Sequence, residues 1–306
     1  MSTIDHRVQT PDGRTLLVEE GGDTGGLPIF VLAGTPNSRH LFSGHLALAK
    51  KQGIRLIGYD RPGYGGSTPK PGRTIADGAA DVRTIADAIG IDRFAIWGIS
   101  GGGPHALACA ALLGDRALAV ASLASPAPYG ALGLDYFAGM GEMNVDDIKL
   151  YLNDPQAARK KTEADREAML TATPEAIRGF MQSLLTPVDA AVLSGEYAEH
   201  MARNIRDGLA PGIQGWWDDG CAEMQPWGFE LESISVPLML WHGRQDRFVP
   251  FSHGEWLAKT IPGVEAHLSD EDGHLTLTMN RLPAIHAWLL EHFEGIRPRD
   301  IGRPWR

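Results

Sequence analysis

Short apolar runs that alternate with helical stretches constrain this chain more than any other feature. Residues 29–32 (Ile-Phe-Val-Leu), 55–59, 94–97 and 118–123 are short, apolar and bounded by glycine or polar residues, the pattern of buried strands. Helical stretches lie between them at 39–51, 76–89 and 104–113, the last two followed by Gly90 and Gly114 as C-caps. A hairpin precedes the series, with Val8 and residues 16–19 flanking Pro11-Asp12-Gly13-Arg14. Strands alternating with helices imply right-handed crossovers and a mostly parallel sheet. The alternation stops near residue 129 and returns with a strand at 236–241, a helix at 253–260, a strand near 266–268 and a helix at 282–293. The expected fold class is α/β, a mostly parallel sheet flanked by helices with an inserted helical block. Residues 1–128 and 233–306 form the core in this reading, and 129–232 the insertion. A chain of 306 residues is long for one hydrophobic core and suits a core with an added lobe. The basic tail from Gly295 to Arg306 reads as a surface arm.

Composition narrows the partners. The net charge of −10 repels nucleic acid and anionic membrane surfaces. No apolar run has the length of a membrane span, and residues 1–10 contain no apolar signal-peptide core. Two distant cysteines, Cys109 and Cys221, suit reduced thiols rather than a disulfide framework or a zinc site. The expectation is a cytoplasmic protein with no nucleic-acid or membrane partner, no metal and no cofactor, acting on a small-molecule substrate. The sequence does not fix the oligomeric state.

Gly98-Ile99-Ser100-Gly101-Gly102 fits G-x-S-x-G, directly after a predicted strand and directly before a predicted helix. That context defines a nucleophile elbow: a sharp turn that exposes a serine at the sheet edge and needs small neighbours. The helix N-terminus behind it favours developing negative charge. A phosphate-binding turn is the alternative. A Walker loop requires lysine after its last glycine, where this chain has Pro104, and the G-x-G-x-x-G spacing is not met.

With these residues the sequence resembles the α/β-hydrolase fold superfamily, from about Arg7 to Phe293 apart from the inserted block. Asp60-Arg61-Pro62-Gly63-Tyr64-Gly65-Gly66-Ser67 matches that family's D-x-x-G-x-G-x-S loop, expected here as a structural wall without chemistry. The resemblance implies Ser100 as nucleophile, His274 after the last strand as base and Asp246 after the preceding strand as acid, in the chain order Ser, acid, His. An acid after an earlier strand is disfavoured, since residues 124–127 carry no carboxylate. Asp270, Glu271 and Asp272 are too close to His274 in sequence for the usual orientation and read as loop solvation. The backbone N–H groups of Thr35 and Gly101 are the implied oxyanion donors. Ala33 stands where the family often has histidine, which alters the packing expected beneath that loop.

The family's insertions at this point form a cap over the site. The block holds Phe137, Met140, Met143, Met181, Trp216, Trp217, Met224 and Trp227, which suit either an adaptable apolar pocket or the cap's own core. Met140, Met143, Trp216 and Trp217 are the candidate pocket residues. Gly139, Gly141, Gly195 and Gly215 are candidate hinges. The leading function is hydrolysis of an ester or related acyl bond in a small, fairly apolar substrate. Three alternatives stand beside it. One is a proline iminopeptidase-like aminopeptidase, with Asp218, Asp219 and Glu223 binding a free amine. The others are a hydroxynitrile-type lyase and a slow-turnover hydrolase-like receptor.

Overall fold

The structure, a computed structural model, describes residues 2–293; the tail expected as a surface arm lies outside them. Its centre is an eight-stranded sheet: β1 (Ile4–Gln9), β2 (Thr15–Gly22), β3 (Leu27–Leu32), β4 (Ile54–Tyr59), β5 (Phe94–Ile99), β6 (Ala117–Leu123), β7 (Leu238–Gly243) and β8 (Glu265–Ser269). The strand order is β1-β2-β4-β3-β5-β6-β7-β8. The β1–β2 and β2–β4 pairings are antiparallel, and every later pairing is parallel.

The central strands are apolar throughout because both faces of the sheet are covered. Phe30 and Leu32 on β3, with Phe94 and Ile96 on β5, point to one side. Helices α2 (Asp77–Ala88), α3 (Gly102–Leu112) and α10 (Phe251–Thr260) pack there through Val82, Ile85, Leu107 and Leu257. Ile29, Val31, Ala95 and Trp97 point to the other side, against α1 (Ser43–Lys51) and α11 (Leu282–Glu291) through Leu46, Ala49, Ile285 and Leu289. This alternation is the period of two expected of strands.

Helix α1 begins later than the expected residue 39. Buried carboxylates divert the N–H groups of the preceding residues: Arg39 N–H donates to Asp60 Oδ1 at 2.6 Å and Leu41 N–H to Glu19 Oε2 at 2.7 Å. These contacts anchor a non-helical path through 39–42, and Phe42, with extended backbone at ψ 134°, marks the helix start.

Between β6 and β7 lie α4 (Glu142–Asn153), α5 (Pro155–Leu170), α6 (Pro174–Phe180), α7 (Pro187–Val192), α8 (Gly195–Leu209) and α9 (Gln214–Glu223). Helix α8 buries Ala202, Ile205 and Leu209 against Tyr64, and Tyr197 and Ala198 against Phe42 and Leu275. Gly215 is a site of close contact rather than a hinge, since a Cβ there would lie 2.7 Å from the Gly63 carbonyl carbon and the Tyr64 ring. No described helix is long and apolar enough to cross a membrane. Cys109 and Cys221 are free thiols.

The turn from β5 into α3 is the tightest joint in the fold. A Cβ on Gly102 would collide with the carbonyl oxygens of Leu32 and Ala33, and one on Gly98 would collide with that of Gly102. Gly102→Ala is therefore expected to lower stability by about 1–3 kcal/mol, the usual cost of forcing a methyl into a packed site. A lowered midpoint in chemical denaturation checks it.

Candidate active site

Ser100 occupies the step between β5 and α3. Its φ is 55°, one of two positive values among described non-glycine residues. Such a conformation costs on the order of 1–3 kcal/mol and persists only where surrounding structure imposes it. Here Ser100 N–H donates to Leu123 O at 2.9 Å, and Ser100 O accepts from Gly103 N–H at 2.8 Å. The side chain is half-buried and faces a cavity of about 370 Å³.

His274 faces the same cavity from the loop after β8. Its Nδ1 lies 2.7 Å from Asp246 Oδ2, and both residues are buried. The other carboxylate oxygen of Asp246 accepts the N–H groups of Phe248 at 2.8 Å and Val249 at 2.9 Å. With both oxygens engaged, the carboxylate is fixed in rotation and directs the imidazole, whose ring stacks on Phe248 at 4.5 Å. Burial works to lower the His274 pKa, but the charge and hydrogen bond of Asp246 outweigh it and hold it above the ordinary value. His242 supports the same loop, with Nε2 2.9 Å from Val249 O.

Thr35 follows β3 and faces Gly101 across the cavity wall. A Cβ on Gly101 would meet the Thr35 hydroxyl, and it would lie 2.9 Å from Glu223 Oε1. The Thr35 hydroxyl donates to Asp219 Oδ2 at 2.9 Å and accepts from Arg61 Nη2 at 2.9 Å. Arg61 also donates to Gly34 O at 3.2 Å and to Ala33 O. Its guanidinium therefore supports the loop in which Ala33 replaces histidine. Residues 60–67, expected as a wall near the site, do not line the cavity; the loop instead supplies this cation.

Asp219 on α9 is the hub of that support. It accepts from Arg61 Nη2 at 2.7 Å and Tyr64 Oη at 2.8 Å, and also from Arg73. Burial works to raise its pKa, but Arg61 and Arg73 hold the carboxylate well below the usual range. Asp218 is buried and bonded to Gln214 at 2.8 Å. Neither residue lines the cavity, so of the three acids weighed for amine binding Glu223 alone does. Burial, with Asp219 adding to it, raises the Glu223 pKa to about 7, against the opposing pull of Arg61 and Arg73.

Met140, Met143, Trp216 and Trp217 all line the cavity, with Met181 and Met224. Phe137 and Trp227 do not. Phe137 packs edge-on to Tyr136 at 5.5 Å, and Trp227 belongs to the core beneath. The carboxylates near His274 are engaged elsewhere: Asp272 with Ser269 and Arg281, Glu271 with Arg281, Asp270 with Arg244. His105 is buried, with Nδ1 3.2 Å from Ile75 O.

Sequence reasoning missed Asp219 as a hub, Arg73, and Asp189 on α7, which accepts the backbone N–H groups of His274, Leu275 and Thr276. A local signal existed for Arg61 alone, within the matched loop. The others act across more than eighty positions of chain, where no spacing rule applies.

A family model for the alpha/beta hydrolase fold matches residues 28–278. The AB hydrolase superfamily protein YisY of Bacillus subtilis (strain 168) is 28% identical over 277 residues, covering 88% of this chain and 92% of its own. A 2-hydroxy-6-oxo-6-phenylhexa-2,4-dienoate hydrolase of Burkholderia cepacia is 28% identical over 236 residues, covering 72% and 71%. Among solved structures, a thermophilic esterase from Thermogutta terrifontis superposes with a TM-score of 0.66 at 21% identity, covering 94% of this chain and 99% of its own.

Glu223 generates a stability prediction. The unfolded acid loses its proton near 4.5 and the folded one near 7, so the folded state binds more protons between those values. Stability is then lost as pH rises through that window. Glu223→Gln removes the effect. Its stability advantage over the wild type should grow from pH 4.5 to 7 and level off above, reaching on the order of 3 kcal/mol. Denaturant titrations at pH 5, 6, 7 and 8 read it directly; an advantage independent of pH contradicts the shift.

Proposed function

We propose, from the premise that this chain belongs to the alpha/beta hydrolase fold family and is an enzyme of it, that it cleaves an ester or related acyl bond through Ser100, His274 and Asp246. The observation that carries this reading is the shared cavity: a serine in left-handed backbone faces it together with a histidine whose far nitrogen is bonded to a buried aspartate.

A serine hydroxyl is a weak nucleophile and needs a base beside it. Ser100 Oγ attacks the acyl carbon while His274 Nε2 takes its proton. Asp246 holds the tautomer that leaves Nε2 free and stabilises the imidazolium once it forms. The carbonyl oxygen gains charge and is met by the N–H groups of Thr35 and Gly101. As the tetrahedral intermediate collapses, His274 returns the proton to the leaving oxygen, giving an alcohol and an acyl-serine. Water, deprotonated by the same imidazole, then releases the acid and restores Ser100.

The substrate side of the proposal rests on the cavity walls. Residues 129–232 act as a cap on the core formed by 1–128 and 233–306, and Met140, Met143, Trp216 and Trp217 give an apolar lining. About 370 Å³ suits a small acyl ester. The aminopeptidase alternative loses two of its three amine ligands, since Asp218 and Asp219 do not line the cavity and are bonded to Gln214 and to the arginines. The relatives described as a dienoate hydrolase and an esterase are in keeping with hydrolysis of a small carbonyl substrate.

A fluorophosphonate should label the wild type once and leave Ser100→Ala unmodified, as read by intact-protein mass spectrometry. An adduct that persists in the alanine variant sinks the assignment. Small apolar esters should be cleaved far faster than prolyl anilides in a side-by-side panel. Asp246→Asn should fold, by circular dichroism, and lose about 10²–10⁴ in kcat, as amide replacements of such acids do. Asp270, Glu271 and Asp272 are held by other partners and should not substitute. Near-wild-type turnover in Asp246→Asn would remove that residue from the mechanism.

A further inference from the structure

Asp189 lies on α7, in the helical segment above the site, and is fully buried. Its Oδ2 accepts from His274 N–H at 2.9 Å. Its Oδ1 accepts from Leu275 N–H at 2.7 Å and Thr276 N–H at 3.3 Å. The Thr186 hydroxyl adds a fourth bond at 3.3 Å. Gly273 leaves room for the carboxylate, since a Cβ there would collide with it. Among the described residues no lysine or arginine pairs with Asp189.

Each of these partners donates a hydrogen. The three backbone N–H groups can only donate, and together they favour the ionised carboxylate. Burial, with the Asp246 charge adding to it, holds the Asp189 pKa above the ordinary value against the opposing pull of the His274 N–H and imidazole. The result is a second carboxylate beside His274, held by three backbone N–H groups and one hydroxyl. Asp246 contacts the ring; Asp189 contacts the chain that carries it. The other titratable groups facing the pair are His242 on β7 and Tyr197 on α8, both buried.

We propose that Asp189 is a positioning residue for the reaction: it clamps residues 274–276 from the helical segment and adds its charge to the field that stabilises the His274 imidazolium. The inference rests on the reading of His274 as the base. It makes that base sensitive to the placement of α7, so the cap does more than enclose substrate. A clamp alone would set geometry. A clamp with a charge also sets the proton affinity of the base.

The test is the pH dependence of kcat/KM for Asp189→Asn on a chromogenic ester. Asparagine keeps the shape but loses the charge and one acceptor. We expect kcat to fall about 10- to 100-fold through misplacement of the imidazole, with KM changed much less. Without the second negative charge the imidazolium loses stability, so the acidic limb should move to lower pH. The deficit should therefore be smaller at pH 5 than at pH 8. A merely structural role would leave the limb in place, and an unmoved limb overturns the inference whatever kcat does.

Should Asp189→Asn fail to fold, the imidazole titration of His274 in Asp246→Asn serves, followed by NMR. With Asp246 neutralised, Asp189 should still keep the His274 pKa above that of His45, a buried histidine lowered to about 4 by burial. A fall to the His45 value overturns the proposal. His274→Ala separates the two readings. If it retains turnover, His274 is not the base and the mechanism itself fails. If it is inactive while Asp189→Asn matches the wild type across pH, only the role of Asp189 fails.

Discussion

The glycine-lined turn between β5 and α3 is the constraint on which the site depends. The strand ends beside Leu32, and the helix starts with its backbone against the same carbonyl. No room remains for a longer connection, so Ser100 takes a left-handed φ that serine does not otherwise favour. The turn is anchored on β6 through Leu123 and presses on the loop after β3, where Gly34 lies against Ser100. One tight joint thus sets the serine, the Gly101 N–H and the approach of Thr35 together. Parallel strands make this possible, because their carboxyl ends share one edge of the sheet and loops from several strands meet there.

Buried carboxylates organise the rest, in three different ways. Asp219 is met by two guanidinium groups, a phenol and a hydroxyl. Asp246 is met by an imidazole and two backbone N–H groups. Asp189 is met by backbone N–H groups and one hydroxyl. Taking a charge out of water costs several kcal/mol, and only a full set of donors offsets it. Each aspartate has such a set, and each set spans different parts of the chain. Two of the three reach from the helical segment to loops of the sheet. Removing that segment would leave Arg61, Arg73 and the N–H groups of the 274–276 loop without their carboxylate partners, so the two parts are linked by polar satisfaction as well as by apolar contact.

These links explain what was legible in the sequence. The strands, the flanking helices and the sheet direction followed from local patterns, since apolar period and glycine punctuation are written within a few residues. Ser100 was legible because its elbow is a contiguous pentapeptide. His274 and Asp246 were reached through resemblance and chain order, and their mutual hydrogen bond is a fact of tertiary structure. The delayed start of α1 was not legible, because Asp60 and Glu19, which anchor the residues before it, lie elsewhere in the chain. Asp218 and Asp219 are adjacent and looked equivalent; only the fold tells one packed beside Gln214 from the other between two arginines. The apolar residues of 129–232 divided between cavity and core, as Met140 and Trp227 illustrate. Periodicity cannot separate two kinds of burial.

Charge balance beneath the Thr35 loop gives the arrangement a direction. Arg61 and Arg73 bring two positive charges to one buried cluster, and Asp219 returns one negative charge. Glu223, one helical turn beyond Asp219, is the remaining acid close to Gly101. When it holds its proton, Arg61, Arg73 and Asp219 together carry net positive charge behind the two proposed oxyanion donors. When it ionises, it offsets that charge, but a carboxylate then stands close to Gly101, where negative charge would develop on the substrate. Interior fields are poorly screened, so the difference between these states is felt at the oxyanion. The role proposed for His274 asks for the opposite, since a base must be neutral to accept a proton. The favourable state of the site is thus a neutral imidazole together with a neutral Glu223. The carboxylates beside His274 and the burial around Glu223 raise both pKa values, which serves the second requirement and opposes the first.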